Sequence, residues 1–293
     1  MGVEHLEVIE RDLNRKEISY DTSHNVVVSN DFILHSASNL TLNEMKLLRL
    51  IITQCERHDE KFYTFSLKAK DFAKLLDVDP HDMRKHLKTM TRHIMAEVLE
   101  IEDVKTGDWL QFHWTETCAY KAGVVTIKIA DSLAPYMLNL KKRFTLYKLE
   151  EILPFKSAHA LKIYEVLIAN INQHEQPHAD KYSVISVSLE TLRIVTKTQD
   201  KYPRFNNFNT RVLTPAVNEI NRVSKYHVIA TPYRNGHAVC GIDFLVESQV
   251  GYAVRTKNTS KNVKVQNDNE QLEGQMNILD FQDTDGNIKI TRS

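Results

Sequence analysis

The sequence predicts an α+β protein made of two copies of one structural unit, and two observations carry this prediction. The order of helices and strands that the hydrophobic pattern indicates from Thr41 to Ile129 recurs from Ser157 to Phe244. Each of these stretches also ends in two β-prone runs around a turn signal, which is typical of an antiparallel hairpin. The residues outside the two units are predicted to form flexible N- and C-terminal tails.

The first unit begins with an amphipathic helix. Apolar residues recur at helical spacing from Leu42 to Ile52, and Thr41 and Glu44 have the spacing of a capping box. The later elements are a strand from Phe62 to Leu67, a short helix from Lys68 to Leu76, a longer helix from the start signal Asp79-Pro80 to about Leu99, and a hairpin of Trp109 to Cys118 and Val124 to Ile129 around Lys121-Ala122-Gly123.

The second unit repeats this order. Its elements are a helix from Ser157 to Asn172, a strand from Tyr182 to Val187, a short helix from Leu189 to Val195, a longer helix from Arg204 to Arg222, and a hairpin of Tyr226 to Pro232 and His237 to Phe244. Asn235 and Gly236 mark the hairpin because both tolerate the positive φ of a tight turn. Helix, strand, helix, helix and a two-stranded wing is the order of a winged helix-turn-helix, and a generic α+β domain is the alternative.

The long helix of the second unit has one face suited to reading DNA. With Phe205 at the centre of the buried face, the apolar stripe continues through Phe208, Val212, Ala216 and Ile220. The opposite face and its flanks carry Asn207, Thr210, Thr214, Arg204 and Arg211. Arg can bond guanine and Asn adenine with two hydrogen bonds each, and Thr offers a hydroxyl and a methyl group. These five residues are therefore predicted to contact DNA.

The segment around this helix is basic although the whole chain is neutral. The chain has 38 Lys and Arg and 38 Asp and Glu. Between residues 193 and 225, however, only Asp200 and Glu219 oppose the basic residues Arg193, Lys197, Lys201, Arg204, Arg211, Arg222 and Lys225. Such a run is often a solvated face, but its place on a recognition element favours nucleic acid. Arg193, Lys197 and Lys201 join the predicted DNA-binding residues.

The long helix of the first unit allows two interpretations. Its predicted buried stripe consists of Met83, Leu87, Met90, Ile94 and Val98. Its outward residues are Lys85, Lys88, Thr89 and Arg92. They either contact phosphates or a second groove, or they form a solubilising face on an interface domain.

Composition excludes several classes of protein. The chain has 293 residues with 42% hydrophobic and 26% charged content, which suits one or two soluble domains. Three separated cysteines, Cys55, Cys118 and Cys240, argue against a disulfide framework and favour a reducing cytoplasm. The charged N-terminus is unlike a signal peptide, and no run reaches the roughly 18 apolar residues of a membrane span.

The sequence contains no complete catalytic motif, so we predict that the protein is not an enzyme and binds no cofactor. The stretch from His174 to His178 formally matches the zinc motif His-Glu-x-x-His, but Pro177 disrupts the helix that the motif needs. His81, His86 and His93 are scattered around their helix. No Gly precedes a Lys-Ser or Lys-Thr pair in a phosphate-binding loop, and no His-apolar-His pair accompanies a candidate tyrosine nucleophile, the arrangement that a DNA-nicking initiator needs.

The C-terminal tail contains one apolar island, from Gln275 to Phe281. It loosely resembles peptides that engage bacterial sliding clamps, and a simple tail helix is the alternative.

Three long segments of the sequence resemble one known family. They are FKSAHALKIYEVLIANI, VSLETLRIVTKTQDKYPRFNNFNTRVLTPAVNEIN and VIATPYRNGHAVCGIDFLV, together with the looser N-terminal segment SNDFILHSASNLTLNEMKLLRLII. The positions at the family's spacing are Tyr202, Phe205, Phe208, Arg211, Val212, Leu213, Ala216, Glu219, Ile220 and Asn221. From Ser29 to Val246 the chain thus resembles the replication initiators of iteron plasmids.

This resemblance implies tandem winged helices related by a pseudo-twofold axis. It implies a bacterial, cytoplasmic protein whose monomer binds direct repeats at a plasmid origin and whose dimer represses its own gene. The implied partners are origin DNA, a second copy of the chain bound through the first domain, and host initiator and helicase-loading proteins. No interaction with a membrane is expected. A dimeric transcriptional repressor without initiator activity is the alternative. The expected division is a tail at 1–28, domains at 29–145 and 146–250, and a tail at 251–293.

Overall fold

The structure, a computed structural model, describes residues 15–56, 58–102, 106–171 and 182–250. The elements up to residue 148 are β1 (Arg15–Glu17), β2 (Asn25–Ser29), α1 (Asn30–His35), β3 (Ser36–Ala37), α2 (Leu42–Ile52), β4 (Thr64–Lys68), α3 (Ala69–Leu76), α4 (Met83–Ala96), β5 (Val98–Glu102), β6 (Trp109–His113), β7 (Thr115–Lys121), β8 (Val124–Ile129), α5 (Ala134–Met137) and β9 (Phe144–Lys148). The later elements are α6 (Leu149–Ile152), α7 (Ala158–Ile171), β10 (Ser183–Ser188), α8 (Leu189–Val195), α9 (Phe205–Phe208), a π-helical turn (Asn209–Leu213), α10 (Thr214–Val223), β11 (Tyr226–Asn235) and β12 (Ala238–Ser248).

Two sheets with the same topology confirm the predicted repeat. In the first unit the strand order is β4-β8-β7, with β1 added in parallel to β4, and in the second it is β10-β12-β11. In both units the strand after the first helix pairs antiparallel with the last strand of the wing. The short helix and the long helix that follow this strand are α3 and α4 in the first unit, and α8 and the 205–223 helix in the second. The α+β prediction of two tandem winged helices is therefore confirmed.

The start of α2 has the capping box that the sequence predicts. The Thr41 amide donates to Glu44 Oε2 at 2.8 Å, and the Glu44 amide donates to Thr41 Oγ1 at 3.4 Å. These two bonds satisfy amides that have no partner inside the helix. Asp79 likewise accepts from the amide of His81 at 2.8 Å, at the start of the turn that leads into α4.

Both predicted hairpins form, and one turn lies a residue later than predicted. Between β7 and β8, Ala122 and Gly123 have φ of 49° and 85°, as a primed two-residue turn requires. In the second wing, Asn235 stays in β11 and pairs with Ala238, so Gly236 and His237 occupy the turn. Gly236 alone of these takes a positive φ, 61°, which explains why a glycine stands there.

The prediction that α4 continues to about Leu99 is wrong. The helix ends at Ala96, and Val98 begins β5 with 42% of its surface exposed rather than closing the buried stripe. The reason is the alternation of Leu99 and Ile101 with Glu100 and Glu102, which is the period of a strand. Leu99 is buried from the strand instead.

The single strand predicted from Trp109 to Cys118 is also wrong, because the chain changes sheet within it. β6 pairs with β5 in a sheet that includes β3, whereas β7 pairs with β8. At the break, the buried Trp114 places its ring edge-on to Phe32 at 5.5 Å. Trp114 and Thr115 are both buried, and two consecutive buried residues interrupt the alternation of faces within a single strand.

Part of the predicted N-terminal tail is ordered secondary structure. β1 pairs with β4, and β2 pairs antiparallel with β9 over five residue pairs from Asn25 and Lys148 to Ser29 and Phe144. Val26 and Val28 are fully buried in this ladder. Burial of these valines gives residues 25–28 a fixed position, so the prediction of a flexible segment over 1–28 does not hold there.

Helix α7 lies at the centre of the molecule. Ten of its 14 residues are buried, and it packs against α10, α1 and β9. A helix that is apolar on all sides needs neighbours on all sides, and α7 finds them in both units. Its Glu165 carboxylate accepts two hydrogen bonds from Arg49 of α2, and Lys162 donates to the carbonyl of Ser38 at 2.6 Å. The two units are thus joined by buried polar contacts as well as by apolar packing.

Candidate nucleic-acid interface

The 205–223 helix has the two faces that the sequence predicts, except that Phe205, the predicted centre of the buried face, is only half-buried. Phe208, Val212, Ala216 and Ile220 are at most 1% exposed. The opposite side is exposed and carries Arg204, Asn207, Thr210, Arg211 and Thr214. The structure therefore brings together, on one surface, all five residues predicted from this helix to contact bases.

A π-helical turn interrupts this helix, and periodicity at 100° per residue did not predict it. The amide of Thr214 donates to the carbonyl of Asn209, five residues earlier, and Pro215 follows. Proline has no amide hydrogen and clashes with the carbonyl four residues before it in a regular helix. The wider π turn absorbs this conflict and adds Leu213 and Val217 to the buried side. Pro215 inside a predicted helix was the available signal.

The turn between α8 and α9 is built around the guanidinium of Arg193. This side chain is half-buried, and its guanidinium carbon lies 5.0 Å from the centre of the Phe208 ring. Its nitrogens donate to the backbone carbonyls of Thr198, Lys201, Tyr202 and Pro203. Arg193 thus faces the backbone of the turn, and no local pattern in the sequence indicates these contacts.

The other basic residues of this turn differ in exposure. Lys197 is half-buried and takes a left-handed φ of 52°, whereas Lys201 is exposed. Tyr202 also has a positive φ, 56°, and the guanidinium of Arg211 lies 5.8 Å from its ring centre. A cation at this distance from an aromatic face is attracted to it. The π-helical turn of the 205–223 helix therefore presents Arg211 beside the ring of Tyr202.

In the first unit, α4 exposes its four predicted residues together. Lys85, Lys88, Thr89 and Arg92 are all exposed on α4, and Thr89 Oγ1 donates to the carbonyl of Lys85 at 3.1 Å. The buried stripe of this helix is Met83, Leu87, Met90 and Ile94. The face is therefore available to a partner, and it remains a prediction that the partner is DNA.

Beside this face, α4 and the first wing enclose a basic groove that the sequence analysis missed. It is lined by Arg84, Leu87, Lys88, Thr91, Cys118 and Tyr120. The guanidinium of Arg84 lies 5.7 Å from the centre of the Tyr120 ring. Arg84 is not part of the buried stripe of α4, and Tyr120 lies on a different element, the first wing. Only the tertiary packing of the wing against α4 brings them together.

Most of the strongly shifted titratable groups lie away from these exposed faces. Cys118 of the groove is an exception, because burial raises the pKa of its thiol to about 11. Burial lowers the pKa of Lys46 and of Lys162 to about 8, and both ammonium groups donate to backbone carbonyls near α7. Burial raises the pKa of the Cys55 thiol to about 12, which makes it a poor nucleophile. These shifts accompany packing of the core rather than a solvent-facing reaction centre.

Some sequence predictions lie outside the described residues. The stretch from His174 to His178 and the apolar island from Gln275 to Phe281 both do. Within the residues that the structure describes, no group of three His, Cys, Asp or Glu side chains is placed to hold a metal ion. Across that same part of the chain, no helix is long and apolar enough to cross a membrane.

Two tandem winged helices, each with an exposed basic face on its long helix, define a DNA-binding protein of the winged-helix class. The sequence matches two family models, described as Initiator Replication protein, WH1, over residues 25–168, and Initiator Rep protein, WH2, over residues 188–246. The chain belongs to this family, the replication initiators of iteron plasmids. The first match continues past the expected domain boundary at residue 145 and takes in most of α7, the helix shared by both units.

Two similar proteins illustrate this membership. A replication initiation protein of Escherichia coli is 23% identical over 237 residues, covering 80% of this chain and 73% of that protein. The crystal structure of the Pi initiator protein in complex with iteron DNA superposes with a TM-score of 0.63 at 18% identity, covering 78% of this chain and 99% of that one. At this identity the second likeness shows the shared tandem fold.

Proposed function

We propose that this protein initiates plasmid replication by binding direct repeats at an origin as a monomer, and that it represses its own gene as a dimer. The observation that carries the proposal is the exposed face of the 205–223 helix, where Arg204, Asn207, Thr210, Arg211 and Thr214 stand together on the recognition element of a winged helix. Family membership and the fold shared with an initiator described in complex with iteron DNA support it.

In this proposal the two units divide the work. The second unit reads bases through Arg204, Asn207, Thr210, Arg211 and Thr214, while Lys201 and the α4 residues Lys85, Lys88, Thr89 and Arg92 contact the backbone. Phosphate contacts supply much of the affinity and make it depend on salt. The free energy of binding remodels the DNA. This chain hydrolyses no nucleotide in the process. Catalytic steps at the origin belong to host proteins.

The test is a titration of the purified protein onto a fluorescent duplex that carries one direct repeat from beside its gene. A scrambled duplex of the same length and base composition is the comparison, at several salt concentrations. We expect a preference for the single repeat. A third duplex carries two inverted copies of the repeat, and binding to it alone would favour the dimeric repressor. Equal binding to the repeat and scrambled duplexes would refute the proposal.

Arg211→Ala is expected to weaken binding to the repeat by about 1–3 kcal/mol and to leave binding to scrambled duplex nearly unchanged, because a base contact is lost. The same titration measures both affinities. Arg222→Ala is the matched control, since Arg222 is an exposed arginine at the opposite end of the same helix. Equal losses on both duplexes in Arg211→Ala would assign Arg211 to a phosphate instead.

Lys88→Ala and Arg92→Ala are expected to weaken binding to both duplexes alike. Each lost phosphate contact should reduce the slope of log affinity against log salt by about 1. Lys148→Ala removes an exposed lysine outside the α4 face and serves as the control. An unchanged slope in both α4 variants would move this face from DNA contact to contact with another protein.

The remaining partners follow from the same proposal. They are a second copy of the chain, docked through the first domain, host initiator and helicase-loading proteins, and a sliding clamp bound through Gln275 to Phe281. The site of action is the bacterial cytoplasm. Truncation after Asn258, followed by a clamp pull-down, tests the last contact, and an unchanged pull-down would discard it.

A further inference from the structure

We infer that Arg193 is a positioning residue that sets the sequence specificity of the second unit by shaping the turn before the recognition helix. This inference rests on the proposed function, because it concerns how the DNA-reading face is aimed. Arg193 was predicted to contact DNA directly. Its contacts in the structure point to a different role.

The guanidinium of Arg193 donates hydrogen bonds to four backbone carbonyls of the turn. Nη1 donates to Thr198 at 3.2 Å and to Lys201 at 2.8 Å, and Nη2 donates to Tyr202 at 2.8 Å and to Pro203 at 3.5 Å. The guanidinium carbon also lies 5.0 Å from the ring centre of Phe208, a fully buried residue of α9. A planar fork of donors suits several carbonyls at once, whereas a lysine ammonium is a single point. The group is therefore oriented toward the protein backbone.

The turn needs such support because its backbone is unusual. Lys197 and Tyr202 have φ of 52° and 56°, in the left-handed region that residues with side chains seldom occupy. Such conformations persist when the surrounding structure holds them, and they concentrate at functional sites. The carbonyl of Tyr202 is one of the four that Arg193 binds. Arg193 thus stabilises the strained residue directly.

The conformation of Tyr202 in turn places its ring against Arg211. The ring centre lies 5.8 Å from the guanidinium carbon of Arg211. A long side chain held in place before binding loses less conformational freedom on contact with a base. The chain of contacts runs from Arg193 through the backbone of Tyr202 to the ring of Tyr202 and then to Arg211. Arg193 is expected to act on specificity through Arg211, without contacting DNA.

The test compares Arg193→Lys with wild type on repeat and scrambled duplexes across salt concentrations. Lys keeps the charge and loses the fork, so a residue that contacts phosphate would tolerate the change. We expect affinity for the repeat to fall about tenfold, with affinity for scrambled duplex and the salt slope unchanged. Tyr202→Leu should reproduce this loss and Tyr202→Phe, which keeps the ring, should not. Thermal unfolding of each variant monitors the fold.

A double-mutant cycle separates positioning from mere destabilisation. In the Arg211→Ala background, Arg193→Lys should cause no further loss of discrimination, because both act through one contact. Additive losses, or retained discrimination in Arg193→Lys, would overturn the inference while leaving the proposed function intact. A wild-type protein that does not distinguish repeat from scrambled duplex would overturn both.

Discussion

Glu165→Ala is expected to lower the free energy of unfolding by about 3–5 kcal/mol, the range for removing one partner of a buried ion pair. Glu165 Oε1 and Oε2 accept from Arg49 Nε at 2.6 Å and Nη2 at 2.9 Å, and the Tyr147 hydroxyl donates to Oε1. All three residues are at most 4% exposed. The substitution would leave a buried guanidinium without an anion.

The pKa directions agree with this account. Burial alone would lower the pKa of Arg49, but the interactions with Glu165 and Tyr147 together outweigh burial and raise the pKa above its ordinary value. Burial, and then the same carboxylate, raise the pKa of Tyr147, so its hydroxyl remains a donor. The buried guanidinium of Arg49 therefore depends on its carboxylate partner, as the large expected loss assumes.

Urea unfolding followed by circular dichroism measures the loss. Arg49→Met with Glu165→Leu is the informative double variant, because replacing both charges by apolar side chains is often nearly neutral. We expect it to recover much of the stability lost in Glu165→Ala. Glu150→Ala removes a half-exposed carboxylate near Lys148 and should change little. A loss in Glu165→Ala as small as that control would contradict the prediction.

The sequence predicted well the features that depend on neighbouring residues. The capping box of Thr41 and Glu44, the bounds of Leu189–Val195 and Val124–Ile129, and the outward face of the 205–223 helix follow from local spacing. Local hydrogen bonds and periodicity determine such features, so a short window of sequence contains the information.

The sequence could not predict features that depend on distant residues. Arg49 and Glu165 are 116 positions apart, and nothing near either residue indicates the other. The change of sheet at Trp114 likewise depends on Phe32, far away in the chain. Arg193 is an intermediate case, because its partners are near in sequence but its direction depends on the shape of the turn. The sequence showed that this segment is basic. Only the structure shows that the Arg193 guanidinium points toward the backbone of the turn.

Gly241→Val is expected to destabilise the second wing by about 3 kcal/mol, at the upper end of the cost of overpacking. Gly241 is buried in β12, the central strand of its sheet, and pairs with Tyr233 of β11 and Ser188 of β10. A Cβ at this position would overlap the Tyr233 hydroxyl and the backbone carbonyl of Val187. A tyrosine side chain can rotate away, whereas the carbonyl belongs to the ladder and moves only if β10 moves. The glycine thus permits a close approach of backbone and ring.

Denaturant unfolding and repeat binding together measure this effect. Ala238→Val is the matched control, because it enlarges an exposed residue of the same strand. Gly241→Ala, alone and combined with Tyr233→Ala, identifies the obstacle: recovery in the double variant would assign it to the ring, and no recovery to the Val187 carbonyl. β12 pairs with both β10 and the other wing strand, and β10 leads directly into α8. Displacement of β10 should therefore also weaken repeat binding. Wild-type stability in Gly241→Val would show that the sheet accommodates a side chain there, and the close approach would then have no structural consequence.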